Sequence, residues 1–179
     1  MLFLLFQIGN DRYAIEAQQA IEVLPLVELK RIPQSARGVA GIFNYRGRPV
    51  PAIDLSELTT GQPARECLST RIIIVQQTDP AGRGQLIGLI AERATELLRR
   101  ESKELVTPGD RTGDVGQVTC DEKKSSLLTP PVTSHASPFG PVLMDAKGLV
   151  QLIHPQRLLP GELRSALFEQ VAELVDERN

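Results

Sequence analysis

The sequence predicts a mainly β chain folded as small barrels, with one amphipathic helix at its end. Short apolar runs recur at regular spacing between breaks rich in Gly and Pro. The long crossover helices that a parallel α/β sheet needs are missing between them. Only after Pro160-Gly161 does the apolar spacing change from strand-like to steps of three and four.

Taken in order, Phe3 to Ile8 and Tyr13-Ala14-Ile15 form a strand pair across the turn Gly9-Asn10-Asp11-Arg12. Ala17 to Ala20 supply one helical turn, and Ile21 and Val23 resume extended structure. Ile42-Phe43 and Val50 to Leu55 then flank Asn44-Tyr45-Arg46-Gly47, which places Gly where a tight turn needs positive φ and an Arg beside it. This is a hairpin that presents a guanidinium. Pro49 lacks a ladder donor, so its strand is expected at an edge or to begin irregularly. Arg71 to Val75 is a β-branched run, Thr78 to Gly84 is dense in turn residues, and Leu86 to Ile90 is the return strand. A third hairpin pairs Val142-Leu143-Met144 with Leu149 to Ile153 across Asp145-Ala146-Lys147-Gly148.

Between the second and third hairpins, residues 108–138 carry Pro108, Gly109, Gly113 and Gly116, then a Ser/Thr/Pro cluster after Lys124. A loop longer than ~15 residues inside a compact domain points to function or disorder, and this one is expected to be mobile. From Glu162 to Glu177, Leu163, Leu167, Phe168, Val171, Leu174 and Val175 fall on one stripe of a helix of about four turns. The stripe is expected to dock on the chain's own barrels. A partner's groove or self-association is the alternative.

Composition narrows the function. A chain of 179 residues, 41% hydrophobic, buries one good core or two small ones. Twenty basic and 22 acidic residues give a net charge of −2, and the aromatics are five Phe and two Tyr with no Trp. Neither a cationic footprint nor a base-stacking platform is present, so nucleic acid is not an expected partner. The apolar start Leu2 to Phe6 has no positive leader and soon meets Asn10-Asp11-Arg12, so it is a buried strand and not an export signal. No run approaches the ~20 apolar residues of a membrane-spanning helix, so no membrane insertion is expected. Cys67 and Cys120 are too few to staple a fold of this size, and the expected compartment is the cytoplasm.

Catalytic and metal chemistry find little support. The two histidines, His135 and His154, sit in no motif, and no pair among them and the two cysteines has the two-to-four spacing of a structural zinc site. Gly82-Arg83-Gly84 and Gly113-x-x-Gly116 lack the Lys-Ser/Thr of a phosphate cradle and are expected to be turns. Ser35, Ser56 and Ser125 lack the Gly-x-Ser-x-Gly context of a nucleophile elbow. No catalytic residue, cofactor or metal is therefore expected.

The run GIFNYRGRPVPAIDL, Gly41 to Leu55, closely resembles the signature of CheW-like coupling proteins of bacterial chemosensory arrays. That pattern is glycine, apolar, any residue, asparagine, apolar, Arg-Gly, then an apolar strand ending in Pro-x-x-Asp-Leu. The resemblance extends from about Phe3 to Leu159, through FLLFQIGNDRYAIE, Ile21-Glu22-Val23, Lys30-Arg31-Ile32-Pro33, Gly88-Leu89-Ile90 and Gly148 to Ile153, and is poor between about 107 and 138. Tyr45 stands where the family usually has Leu, and Pro49 where it usually has an apolar or basic residue.

The resemblance implies two small five-stranded SH3-like barrels packed together. It makes residues 1–160 the CheW-like unit and 161–179 the terminal helix. In such a fold the last strands can return to the first barrel, so no boundary between barrels is set. It further implies an adaptor that links chemoreceptor cytoplasmic tips to the regulatory domain of a CheA-type histidine kinase. By match to the motif, Arg46 aligns with the arginine implicated in coupling and Glu22 with an acidic residue of the early strand tied to the same activity. The two are expected either to face partners or to pair with each other. Ile21, Val23 and Ile42 are candidate contacts, but a β-branched residue facing a partner looks just like one facing the core, and the core is the expected place for all three. Tyr45, an amphipathic ring at a hairpin end, suits an interface rim better than full burial. Asp54 is expected to close its strand by accepting turn amide protons. The rival readings are the regulatory barrel domain of a larger kinase and a small β-barrel enzyme with an unrecognised site.

Overall fold

The computed structural model describes residues 1–33, 35–78, 84–100 and 138–176. In β1 (Leu2–Ile8), Phe3 and Leu5 point to one side and Leu4, Phe6 and Ile8 to the other, and all five are buried. β6 (Arg71–Thr78) repeats this, with Ile72 and Ile74 on one face and Ile73 and Val75 on the other. A strand buried on both faces belongs between two layers, which is why both strands are unbroken apolar runs.

The remaining strands are β2 (Asp11–Glu16), β3 (Ala20–Pro25), β4 (Val39–Tyr45), β5 (Arg48–Asp54), β7 (Gly84–Arg99), β8 (Phe139–Asp145) and β9 (Gly148–Ile153). Ala17–Gln19 forms the helical turn expected there, and it is a 3₁₀ turn. β3, β4, β5, β6 and the first part of β7 make one five-stranded barrel. β1, β2, β8, β9 and the second part of β7 make the other. The last strands do return to the barrel that the first strands began, through the parallel pairing of Tyr13 with Gln151 and Ala14 with Leu152.

β7 serves both barrels. It pairs with β6 as far as Ala91 and with β1 from Glu92 onward, and the register slips at the change of partner. Arg93 sits at that slip with φ 50°, the local kink of a strand that switches sheets.

Three apolar layers result. One fills the β1–β2–β8–β9 barrel around Phe3, Leu5, Leu143 and Val150. A second fills the other barrel around Phe43, Val50, Ile72 and Ile74. The largest lies between the barrels and takes in the helix α2 (Gly161–Asp176) through Leu167 and Val171, with Phe168 packed beside them. The stripe is narrower than the sequence suggests. Leu163 is 43% exposed, because the docking surface begins one turn further on, at Leu167. Leu174 and Val175 lie outside the described side chains, and the stretch 108–137, Cys120, His135 and the turn residues 79–83 lie outside the described residues.

Pro49 falls where β5 has a single neighbour. It sits opposite Asn44 of β4, and pairing with β7 starts only at Ala52, so the missing donor costs no ladder bond on that side. The hairpin β8–β9 is pinned to β2 by a bidentate pair, with Arg12 Nη1 and Nη2 donating to Asp145 Oδ1 and Oδ2 at 2.6 and 2.7 Å. That hydrogen bonding holds the Asp145 carboxyl below the usual carboxylate range, against the opposing effect of burial. Lys147 extends the network by donating to both carboxylate oxygens of Glu96 at 3.1 Å.

Candidate partner-binding surface

The β4–β5 hairpin closes in two residues. Tyr45 pairs with Arg48, leaving Arg46 at φ 52° and Gly47 at φ 82°, so both turn residues occupy the left-handed region that two-residue hairpins favour. Gly47 adopts it at no steric cost, and Asn44 Oδ1 accepts the Gly47 N–H at 2.8 Å, which secures the turn from the strand side. Arg46 is the less expected occupant, since a non-glycine residue at positive φ is uncommon. The turn thrusts its side chain outward, 73% exposed.

β3 runs close by with strict alternation. Ile21 and Val23 face outward, 51% and 39% exposed, while Glu22 and Leu24 turn toward the barrel. Glu22 Oε2 meets the hairpin there. It accepts the Tyr45 hydroxyl proton at 2.5 Å and an Arg46 Nη2 proton at 2.7 Å. The Arg46 guanidinium carbon also lies 5.2 Å from the centre of the Tyr45 ring, within the range of a cation–π contact. Donation to Glu22 raises the Tyr45 phenol above its ordinary pKa, burial adds to this, and the charge of Arg46 opposes it.

Of the six candidate positions, the structure gathers Glu22, Tyr45 and Arg46 into one cluster with Ile21 and Val23 on the same strand edge. Ile42 stands apart, buried in the inter-barrel layer. Two expectations need correction. Tyr45 is not a rim residue, since it is only 8% exposed and packs in the core of its barrel while its hydroxyl reaches Glu22. Ile21 and Val23, which a core would also have suited, are instead displayed to solvent.

Asp54 is structural as expected, and its role is more specific. Oδ1 accepts the Ser56 and Glu57 N–H groups at 2.9 and 3.1 Å and Oδ2 that of Ala64 at 2.8 Å, so it caps a short helix, α1 (Leu55–Thr60). The spacing Asp54-x-x-Glu57 with Gly61 behind it is the sequence signal for that helix. Between α1 and the β3–β4 connection lies an open groove of about 840 Å³, lined by Leu26, Val27, Leu29, Ile32, Pro63 and Glu66 among others.

Little in the described residues resembles a catalytic centre. No group of three or more His, Cys, Asp or Glu side chains among them is placed to hold a metal. Cys67 is exposed, and the Ser69 and Thr70 hydroxyls at 3.2 Å lower its thiol to about 7. The histidine of the described residues, His154, follows β9 in the other barrel, so among the described residues no imidazole base stands beside this thiol. No helix among the described residues is long and apolar enough to cross a membrane.

Comparison with known proteins bears on this arrangement. The CheW-like domain family model matches residues 2–136. The chain is 26% identical over 117 residues to a chemotaxis protein CheW of Helicobacter pylori, a match spanning 65% of this chain and 68% of that protein. It is 25% identical over 103 residues to a probable chemotaxis protein CheW of Rhizobium etli, spanning 58% and 63% of the two. In fold it is similar to the scaffolding protein TtCheW from Thermoanaerobacter tengcongensis, with a TM-score of 0.66, 21% identity and 89% of each chain covered. The hairpin, the paired barrels and the matched domain agree: the chain belongs to the CheW-like domain family.

Proposed function

We propose that the chain is a cytoplasmic adaptor that couples the signalling tips of chemoreceptors to a CheA-type histidine kinase, and that its partners dock on the face built from β3 and the β4–β5 hairpin. The observation that carries the choice of face is its composition. Two exposed β-branched residues, Ile21 and Val23, alternate along β3 with a carboxylate that is tied, on the other side of the strand, to an exposed arginine. Exposed apolar side chains next to an ordered charged pair are a usual make-up of a specific protein contact. The domain as proposed runs over residues 1–160, since β8 and β9 complete the second barrel, with α2 as a clasp on the layer between barrels.

Such a protein works by geometry. Holding receptor tip and kinase in one assembly raises their effective concentration and lets a receptor conformational change bias the kinase. No bond is made or broken by the adaptor itself.

The face is tested by separating displayed from buried isoleucines. Ile21→Asp and Val23→Asp should leave thermal unfolding within a few degrees of the parent, yet weaken binding to the kinase regulatory domain or receptor tip roughly tenfold or more. Ile42→Asp, which places a charge in the inter-barrel layer, should instead lower the melting temperature sharply. Parent-like affinity in both Ile21→Asp and Val23→Asp would remove this face from the account.

A further inference from the structure

We infer that Tyr45 is a positioning residue, holding Glu22 and Arg46 in the one arrangement that a partner meets. The inference rests on the docking face proposed above and assigns Tyr45 a part in it that direct contact does not supply.

The geometry is specific. A single carboxylate oxygen, Glu22 Oε2, is shared by the Tyr45 hydroxyl at 2.5 Å and Arg46 Nη2 at 2.7 Å. The same Tyr45 ring lies beneath the guanidinium, 5.2 Å from its central carbon. Tyr45 thus touches both halves of the ion pair, one through its edge and the other through its face. The ring can do this because packing anchors it: Tyr45 is 8% exposed and lies in the barrel core with Phe43, Val50, Ile72 and Ile74.

Arg46 is the opposite case. Its side chain is long, 73% exposed and carried on a turn, so without contacts it would sample many rotamers and lose that freedom on binding. A rigid ring below and a fixed carboxylate beside it confine the guanidinium before any partner arrives, with much of its surface still turned to solvent. Binding then begins from an ordered group, which is the source of affinity that preorganisation provides. A neutral hydroxyl is well suited to the task. It orients Glu22 without competing for the charge of Arg46, and the cluster keeps both its positive and its negative member.

The test uses a readout that mere structural support would not move. In a Tyr13→Phe background, Tyr45 is the only tyrosine of the chain, and its ionisation can be followed by ring-carbon NMR. Its midpoint should lie above that of an ordinary tyrosine. Glu22→Gln should lower it, because the anion that disfavours phenolate is gone. Arg46→Ala should raise it, because the cation that favours phenolate is gone. A midpoint indifferent to Glu22→Gln would overturn the arrangement.

Binding of the cognate kinase regulatory domain supplies the second arm. Tyr45→Phe keeps the ring and removes only the hydroxyl. It should weaken binding about three- to tenfold while the melting temperature stays within a few degrees of the parent, and Tyr45→Leu, which also loses the ring face, should weaken it further. If Tyr45→Phe binds like the parent while Arg46→Glu does not, the positioning role is overturned and the docking face stands. If Arg46→Glu also binds like the parent, the face itself is wrong and the inference falls with it.

Discussion

Leu167→Asp should lower stability by about 4 kcal/mol, because it removes a buried leucine and leaves a carboxylate with no partner in an apolar layer. Leu167 is 4% exposed and joins α2 to the layer that both barrels share. For a chain of this size the loss corresponds to a fall of roughly 10 °C in melting temperature. Glu169→Lys, two residues along on the exposed face of α2, should shift it by no more than a degree or two. Thermal unfolding of the two variants side by side decides the matter. Equal, parent-like transitions would mean that α2 is not part of the folded core.

Arg46→Glu should have the largest effect on function and a small one on stability. The new carboxylate would face Glu22, whose Oε2 still accepts the Tyr45 hydroxyl, so an attraction becomes a repulsion at the rim of the cluster. Because the side chain is mostly exposed, solvent screens this change and folding should lose at most about 1 kcal/mol. At the centre of a contact the same reversal costs more, about 2 kcal/mol or above, which lowers affinity at least tenfold. The expected result is a protein that melts like its parent and no longer joins receptor tip and kinase. Unchanged assembly would make Arg46 an ordinary solvated turn residue.

The strands were legible where residue type and environment agree. β1 and β6 are continuous apolar runs because a layer covers each face, and the Arg46-Gly47 turn is announced by its glycine and by Asn44. Legibility failed where tertiary context overrides local preference. Ala91 to Arg99 is rich in Ala, Glu, Leu and Arg, all good helix formers, yet it is the second half of β7 because β1 offers it a partner strand. Alternation along β3 tells that Ile21 and Val23 share a side, but nothing in the chain tells whether that side meets the core or the solvent. Tyr45 shows the same limit. Its amphipathic character fits a rim, and only the nearness of Glu22, 23 residues away, explains how the ring can be buried with its hydroxyl satisfied. The candidate site was therefore visible as a set of residues, with a Glu22–Arg46 pair as one of two expected outcomes, and not as a cluster around Tyr45, since that depends on how β3 packs against a hairpin to which no sequence spacing links it.

Whether this chain joins a receptor to a kinase is addressed directly by reconstitution. Purified chain, the cytoplasmic tip of the cognate receptor and the full CheA-type kinase are mixed, and complexes are resolved by size-exclusion chromatography with light scattering. A complex containing all three should form, and should not form when the chain is left out. Receptor tip and kinase that assemble equally well without the chain, or a chain that co-elutes with neither, would contradict it.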